Sequence, residues 1–135
     1  DLADGIVANG YTSPYDVQYT NDYTSWTVLY DEAAAGNENF TCFSALPVGD
    51  KNYLAYVRGA HFNYGLAPDV VLLDVTTPSE AYEIYTLSSS SYLKADQFLG
   101  TGATSDVVLA PSADGSIWVY ATDGNYGVIT GVEIK

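Results

Sequence analysis

The sequence predicts a single all-β domain spanning residues 1–135, and three observations support this prediction. The chain has 135 residues, about the length of one domain. Hydrophobic residues make up 47% of it and include 13 Tyr, 4 Phe and 2 Trp, enough apolar surface to build a core. Runs rich in Tyr, Thr, Val and Ile alternate with Gly, Pro, Asn and Asp at short intervals, which is typical of many short strands.

The strands predicted in the first part of the chain lie between recognisable turns. Asn9-Gly10 is a turn dipeptide after the first strand, and the polar residues 49–52 predict a tight turn that joins two longer strands into a hairpin. In chain order, the strands predicted for this part are residues 6–8, 17–19, 25–30, 40–48, 53–59, 69–75 and 82–87.

Two of these strands have sequence patterns that indicate how their side chains are placed. Alternation along residues 25–30 places Trp26, Val28 and Tyr30 on one face. The run Val-Val-Leu-Leu at residues 70–73 is apolar at every position, so we expect that strand to lie inside a sheet covered on both faces.

The order of strands and turns restarts near residue 106. Strands are predicted at 106–110, 117–121 and 126–134, and residues 107–121 align with residues 43–57, each with Pro and a polar turn before an aromatic strand. The expected units are therefore residues 1–39, 40–87 and 106–135, with residues 88–105 as an inserted loop.

Two stretches resemble β-propeller blades. Residues 106–123 contain Ser-Ala-Asp-Gly before an aromatic strand, and the run Val-Val-Leu-Leu-Asp-Val-Thr-Thr-Pro-Ser at residues 70–79 is similar to a strand of the same repeats. Together, residues 40–134 resemble the C-terminal blades of uncharacterised secreted and surface-lipoprotein β-propellers of glycan-foraging gut bacteria. The resemblance implies propeller-like antiparallel blades, about two plus a partial one, and an extracellular or cell-surface location.

The length of the chain leaves three architectures open. A closed propeller needs at least about four blades of four strands, more than this chain provides. The chain is then a fragment of a larger propeller, or it assembles with other chains, or it closes as a compact β-sandwich or barrel. Residues 6–8 are a candidate outer strand for the last unit.

Charge and composition limit the partners. With 17 acidic residues against 4 basic ones, the formal net charge is −13, so we expect no nucleic-acid binding. No apolar run reaches the ~18 residues of a membrane span, so we expect no membrane insertion. The chain begins at Asp1 and contains no Met, which suggests a trimmed mature chain or an excised fragment. Asn39-Phe40-Thr41 matches the glycosylation acceptor pattern.

No catalytic motif is recognisable, so we predict a non-enzymatic domain without a required cofactor. The acidic residues Asp50, Asp114 and Asp123 are expected to bind backbone N–H groups of their own turns. Cys42, the one cysteine, is expected to be a buried, inert thiol. A structural calcium ion is a further possibility, although the Asp-containing segments 1–5 and 122–125 lack the ligand number of a recognised calcium loop.

The candidate ligand-binding residues combine aromatic rings with polar groups. An aromatic ring can stack on the C–H face of a pyranose while amide, guanidinium and imidazole groups bind its hydroxyls. The candidates are Trp26, Arg58, His61, Asn63 and Tyr64. The alternative for residues 58–65 is that Arg58 pairs with a carboxylate and that the aromatic rings cover a core edge.

The N-terminal third adds regularly spaced aromatic residues, which either form a recognition surface or cover a small core. They are Tyr11, Tyr15, Tyr19, Tyr23, Trp26 and Tyr30. We therefore predict a carbohydrate-binding domain, with a structural or protein-interaction module as the alternative. A third possibility is the accessory part of a hydrolase.

Overall fold

The computed structural model describes residues 6–9, 17–30, 40–58, 69–92, 104–123 and 128–135. Its ten strands form three antiparallel sheets, so the predicted all-β fold class is confirmed. In chain order, the strands are β1 (Ile6–Asn9), β2 (Val17–Thr20), β3 (Thr27–Tyr30), β4 (Phe40–Val48), β5 (Lys51–Arg58), β6 (Asp69–Asp74), β7 (Tyr82–Leu87), β8 (Thr104–Pro111), β9 (Ile117–Asp123) and β10 (Val128–Ile134). A 3₁₀ turn, Pro78–Glu80, precedes β7, and the single helical turn α1, Ser89–Tyr92, follows it.

Each sheet is a meander in which neighbours in the chain are neighbours in space. The orders are β1-β2-β3, β4-β5-β6-β7 and β8-β9-β10, and every pair is antiparallel. This is the strand order of propeller-like blades, with one four-stranded unit between two three-stranded ones. In the part of the chain that the structure describes, no sheet closes into a barrel.

The central four-stranded sheet is covered on both faces, as the apolar run at residues 70–73 predicted. Val71 and Leu73 lie on one face, and Val70 and Leu72 lie on the other; none is more than 1% exposed. The first face packs against Val17, Tyr19 and Leu29 of the β1-β2-β3 sheet. The second face packs against Val107, Leu109, Val119 and Ala121 of the β8-β9-β10 sheet. In the described part of the chain, three β layers therefore stack, with one core on each side of the central sheet.

The hairpin predicted around residues 49–52 is present. Val48 pairs with Lys51, and Gly49 has φ 62°, a left-handed conformation that glycine adopts without steric cost. A second turn has Gly115 at φ 86°. There Asp114 accepts hydrogen bonds from the backbone N–H and the hydroxyl of Ser116, as expected for a carboxylate that caps its own turn.

Three expectations about individual elements are wrong. The N-terminal strand pairs with β2, with Ile6 opposite Thr20, and does not complete the last sheet. Pairing with a strand that follows closely in the chain costs less loop-closure entropy. The strand expected at residues 25–30 begins only at Thr27, because the preceding backbone N–H groups bind Thr20 and Asp22. The expected loop at 88–105 contains α1 and the start of β8.

Candidate functional site

The turn between β2 and β3 carries two exposed aromatic rings. Tyr23 is 74% exposed and Trp26 is 42% exposed. Trp26 immediately precedes β3, and Tyr23 lies in the turn itself. We call residues 21–26 the aromatic turn.

The aromatic turn is held by hydrogen bonds to two side chains. Oδ1 of Asp22 accepts the backbone N–H groups of Thr24 and Ser25, both at 2.8 Å. The hydroxyl of Thr20, which is buried, donates to the same oxygen at 3.0 Å and accepts the N–H of Tyr23 at 3.0 Å. The turn therefore has a defined shape although its surface is exposed.

Hydrogen bonding also fixes the charge of Asp22. The N–H groups of Ser25 and Thr24, followed by the hydroxyl of Thr20, lower the pKa of this carboxyl below its ordinary value. The hydrogen bonds that shape the turn therefore favour the charged form of Asp22.

The backbone of Tyr23 is in a conformation that most residues avoid. Its φ is 62°, the left-handed region in which a β-carbon is crowded, at a cost of about 1–2 kcal/mol. Non-glycine residues held in such conformations cluster at functional sites. The ring of this residue is exposed to solvent, where a ligand can reach it.

The regularly spaced tyrosines divide between core and surface. Tyr19 is buried with the core between the first two sheets, whereas Tyr23 and Trp26 are exposed. The side chains of Tyr11, Tyr15 and Tyr30, and that of Cys42, lie outside the described residues. The core interpretation is therefore confirmed for Tyr19, whereas a recognition role for Tyr23 and Trp26 stays a prediction.

Arg58 ends β5 in the central sheet, on a different sheet from Trp26. Its Nη1 lies 3.4 Å from Oε2 of Glu83 on β7, and Thr86 donates a hydrogen bond to the other oxygen of that carboxylate. This ion pair matches the structural role considered for Arg58. His61, Asn63 and Tyr64 lie outside the described residues, so their placement beside Arg58 remains a prediction.

A second aromatic pair lies on β9 and was not among the predicted site residues. The ring centroids of Trp118 and Tyr120 are 5.9 Å apart, and the ring planes differ by only 15°. The alternation of buried and partly exposed residues along β9 is the signal that could have revealed the pair. Their closeness also depends on Gly131 of β10, a partner that the pattern of β9 alone does not indicate.

Gly131 pairs directly with Tyr120 and makes room for its ring. A β-carbon built on Gly131 would lie 2.7 Å from Cε1 of Tyr120 and 3.5 Å from Cε3 of Trp118. Both rings therefore occupy the space above the glycine, an arrangement known to compensate for glycine in sheets. We call Trp118, Tyr120 and Gly131 the aromatic platform.

The predicted calcium ion stays a prediction. Within the described ranges, no three His, Cys, Asp or Glu residues are grouped as metal ligands would be. Asp123, at the end of β9, is buried, but residues 1–5 and 124–125 of the two Asp-containing segments lie outside those ranges. Among the helices that the structure describes, none has the length and apolar character needed to cross a membrane.

Comparison of the chain with known protein families, with curated proteins and with solved structures finds no match. The similarity to blades of secreted propellers therefore rests on the sequence motifs.

Proposed function

We propose that this protein is a non-enzymatic, extracellular carbohydrate-binding domain whose ligand contacts the aromatic turn. The observation that carries the proposal is the exposure of Tyr23 and Trp26 on a turn fixed by Asp22 and Thr20. An exposed ring on a rigid support can bind a sugar without first paying the entropy of ordering a loop. The resemblance to secreted propeller blades supports the extracellular location.

The chemistry of the aromatic turn suits a sugar. Ring faces stack on the C–H faces of pyranoses, and exposed Asn21, Thr24 and Ser25 supply amide and hydroxyl groups for sugar hydroxyls. A formal net charge of −13 disfavours ligands that carry carboxylates or sulfates. The proposed ligand is therefore a neutral glycan.

A glycan array that contains neutral β-glucans, xylan, mannan and starch, together with anionic polygalacturonate, tests the proposal. A retained polysaccharide is then cast into native gels, and the retardation of wild type is compared with that of Trp26→Ala and Tyr23→Ala. We expect each variant to bind about tenfold more weakly, which corresponds to about 1.4 kcal/mol.

Tyr82→Ala is the matched control because it removes another exposed tyrosine, on β7 of the central sheet. It should bind the polysaccharide like wild type. If wild type retains no glycan, or if Trp26→Ala binds with unchanged affinity, the proposal is wrong.

The alternative function is a structural or protein-interaction module. Its supporting observation is that β10, an edge strand of its sheet in the described part, exposes Val128 and Ile129. Sedimentation equilibrium separates the two functions, because self-assembly gives a mass that rises with concentration, whereas a glycan-binding domain needs no such assembly.

A further inference from the structure

We infer that the outward face of the β8-β9-β10 sheet is a second carbohydrate-binding surface, on which a neutral, extended glycan lies across the aromatic platform. The inference shares the ligand class of the proposed function but concerns different residues. It can therefore hold or fail separately from the aromatic turn.

Strand register shows which residues share this face. Val108 pairs with Tyr120, which pairs with Gly131, and in the neighbouring row Trp118 lies between Ala110 and Glu133. Leu109 and Val119, which alternate with these rows, are buried against the central sheet. The rows that contain the rings therefore face away from the core.

The two rings of the platform are partly exposed. Gly131 and Ala110 put little side chain beside them, and the rings are nearly parallel, with their centroids 5.9 Å apart. The flanking side chains are also apolar and exposed, Val108 by 46% and Ile129 by 69%. The exposed part of this stacked ring pair offers an aromatic surface on which the C–H face of a pyranose can pack.

The charges around the platform favour a neutral ligand over an anionic one. Glu133 lies beside Trp118, and the Ser116 hydroxyl lies 2.6 Å from Oε1 of Glu133 and 2.6 Å from Oδ1 of Asp114, so the two carboxylates share its single proton. A carboxylate at this border can accept hydrogen bonds from sugar hydroxyls and repels anionic glycans. A second copy of the chain would bring another net charge of −13, so the face favours a neutral glycan over self-association.

The two surfaces lie on opposite sides of the central sheet. The β1-β2-β3 sheet, which carries the aromatic turn, packs on one of its faces, and the β8-β9-β10 sheet packs on the other. A chain with two such surfaces binds an immobilised polysaccharide with avidity, which a single short oligosaccharide in solution does not reveal.

Gel retardation in the polysaccharide retained on the array tests this second surface. We expect the Tyr23→Ala/Trp26→Ala variant to keep residual binding, and addition of Trp118→Ala should remove it. Ile129→Glu replaces an exposed apolar side chain beside the platform with a hydrated carboxylate, which a glycan lying there would have to desolvate, and it should weaken binding roughly tenfold. Tyr82→Ala is again the control, and thermal unfolding checks that each variant is folded.

The outcomes separate the two proposals. If the turn variant alone abolishes binding while Trp118→Ala and Ile129→Glu bind like wild type, the second surface is refuted and the turn stands. If only the platform variants lose binding, the turn is refuted and the platform stands. Loss of self-association in Trp118→Ala, with glycan binding unchanged, would identify the face as a protein contact and overturn the inference. A wild type that binds no glycan refutes both proposals.

Discussion

Asp74 is a buried carboxylate at the end of β6 that holds together one end of the central sheet. Its oxygens accept the backbone N–H of Thr76 at 2.9 Å and the hydroxyl of Tyr82 at 3.3 Å. Burial opposes ionisation, but the hydrogen bonds from Thr76 and Tyr82, with the charge of Lys51, outweigh it and lower the pKa of Asp74. Burial, followed by the charge of Asp74, raises the pKa of neighbouring Tyr53.

Asp74→Asn should lower the free energy of unfolding at neutral pH by about 1 kcal/mol, because bonds to a charged acceptor are stronger than bonds to an amide. The folded-state pKa of Asp74 is depressed, so its contribution is present above about pH 3.9 and is lost as pH falls through the folded pKa. Urea unfolding between pH 2 and pH 7 should therefore show a smaller acid-induced loss in the variant.

Asp50→Asn, at an exposed turn position, is the control for Asp74 and should leave stability nearly unchanged. Equal acid sensitivity of wild type and Asp74→Asn would contradict the role assigned to this carboxylate.

Replacement of Tyr23 separates backbone strain from ligand contact. Tyr23→Gly and Tyr23→Ala both remove the ring, but only glycine relieves the crowding at φ 62°. We expect the glycine variant to be more stable than the alanine variant by about 1 kcal/mol in urea unfolding, with glycan binding weakened in both. Equal stability would show that the left-handed backbone is not strained.

The β4-β5 hairpin shows which elements the sequence could predict. Gly-Asp-Lys-Asn between two strand-like runs indicated a turn from local chemistry, and the apolar run of β6 indicated burial on both faces. The start of β3 could not be predicted in this way, because it depends on Thr20 and Asp22, which precede the strand.

Substitution of Gly49 tests the turn of the β4-β5 hairpin directly. No atom lies within 4 Å of a β-carbon built at this position, so the cost of a side chain comes from the backbone alone. Gly49→Ala should destabilise the protein by about 1 kcal/mol, and Gly49→Asn should cost less because Asn tolerates the left-handed region. Equal losses in the two variants would argue against a left-handed turn.

The residues of the candidate sites could also be predicted only in part from the sequence. Trp26 was predicted from composition and alternation, and the structure exposes it. The aromatic platform was missed because it joins β9 to a glycine on another strand, and strand register is not visible in a single sequence.

The stability of the whole molecule depends on its central sheet. The two cores share this sheet, because Leu72 faces the β8-β9-β10 layer while Leu73 faces the β1-β2-β3 layer. Part of the negative charge lies in turns, where Asp22 and Asp114 accept hydrogen bonds from backbone N–H groups.

A shared central sheet predicts one cooperative unfolding transition. The chain has two tryptophans, Trp26 beside the first sheet and Trp118 in the last, so Trp26→Phe and Trp118→Phe leave one reporter each. In urea, both reporters should give the same midpoint. Leu72→Ala or Leu73→Ala should shift both midpoints together, each at a cost of about 2–5 kcal/mol.

Two separated transitions, or a shift confined to the reporter nearer the substituted leucine, would mean that the layers unfold independently. Val28→Ala, an exposed position on β3, serves as the control and should leave both midpoints nearly unchanged.

The most direct test of the functional proposal is calorimetric titration with an oligosaccharide of the polysaccharide retained on the array. Wild type and Trp26→Ala are titrated under the same conditions, with Tyr82→Ala as the control. We expect the dissociation constant to rise about tenfold in Trp26→Ala alone. A dissociation constant that is the same in all three proteins would contradict it.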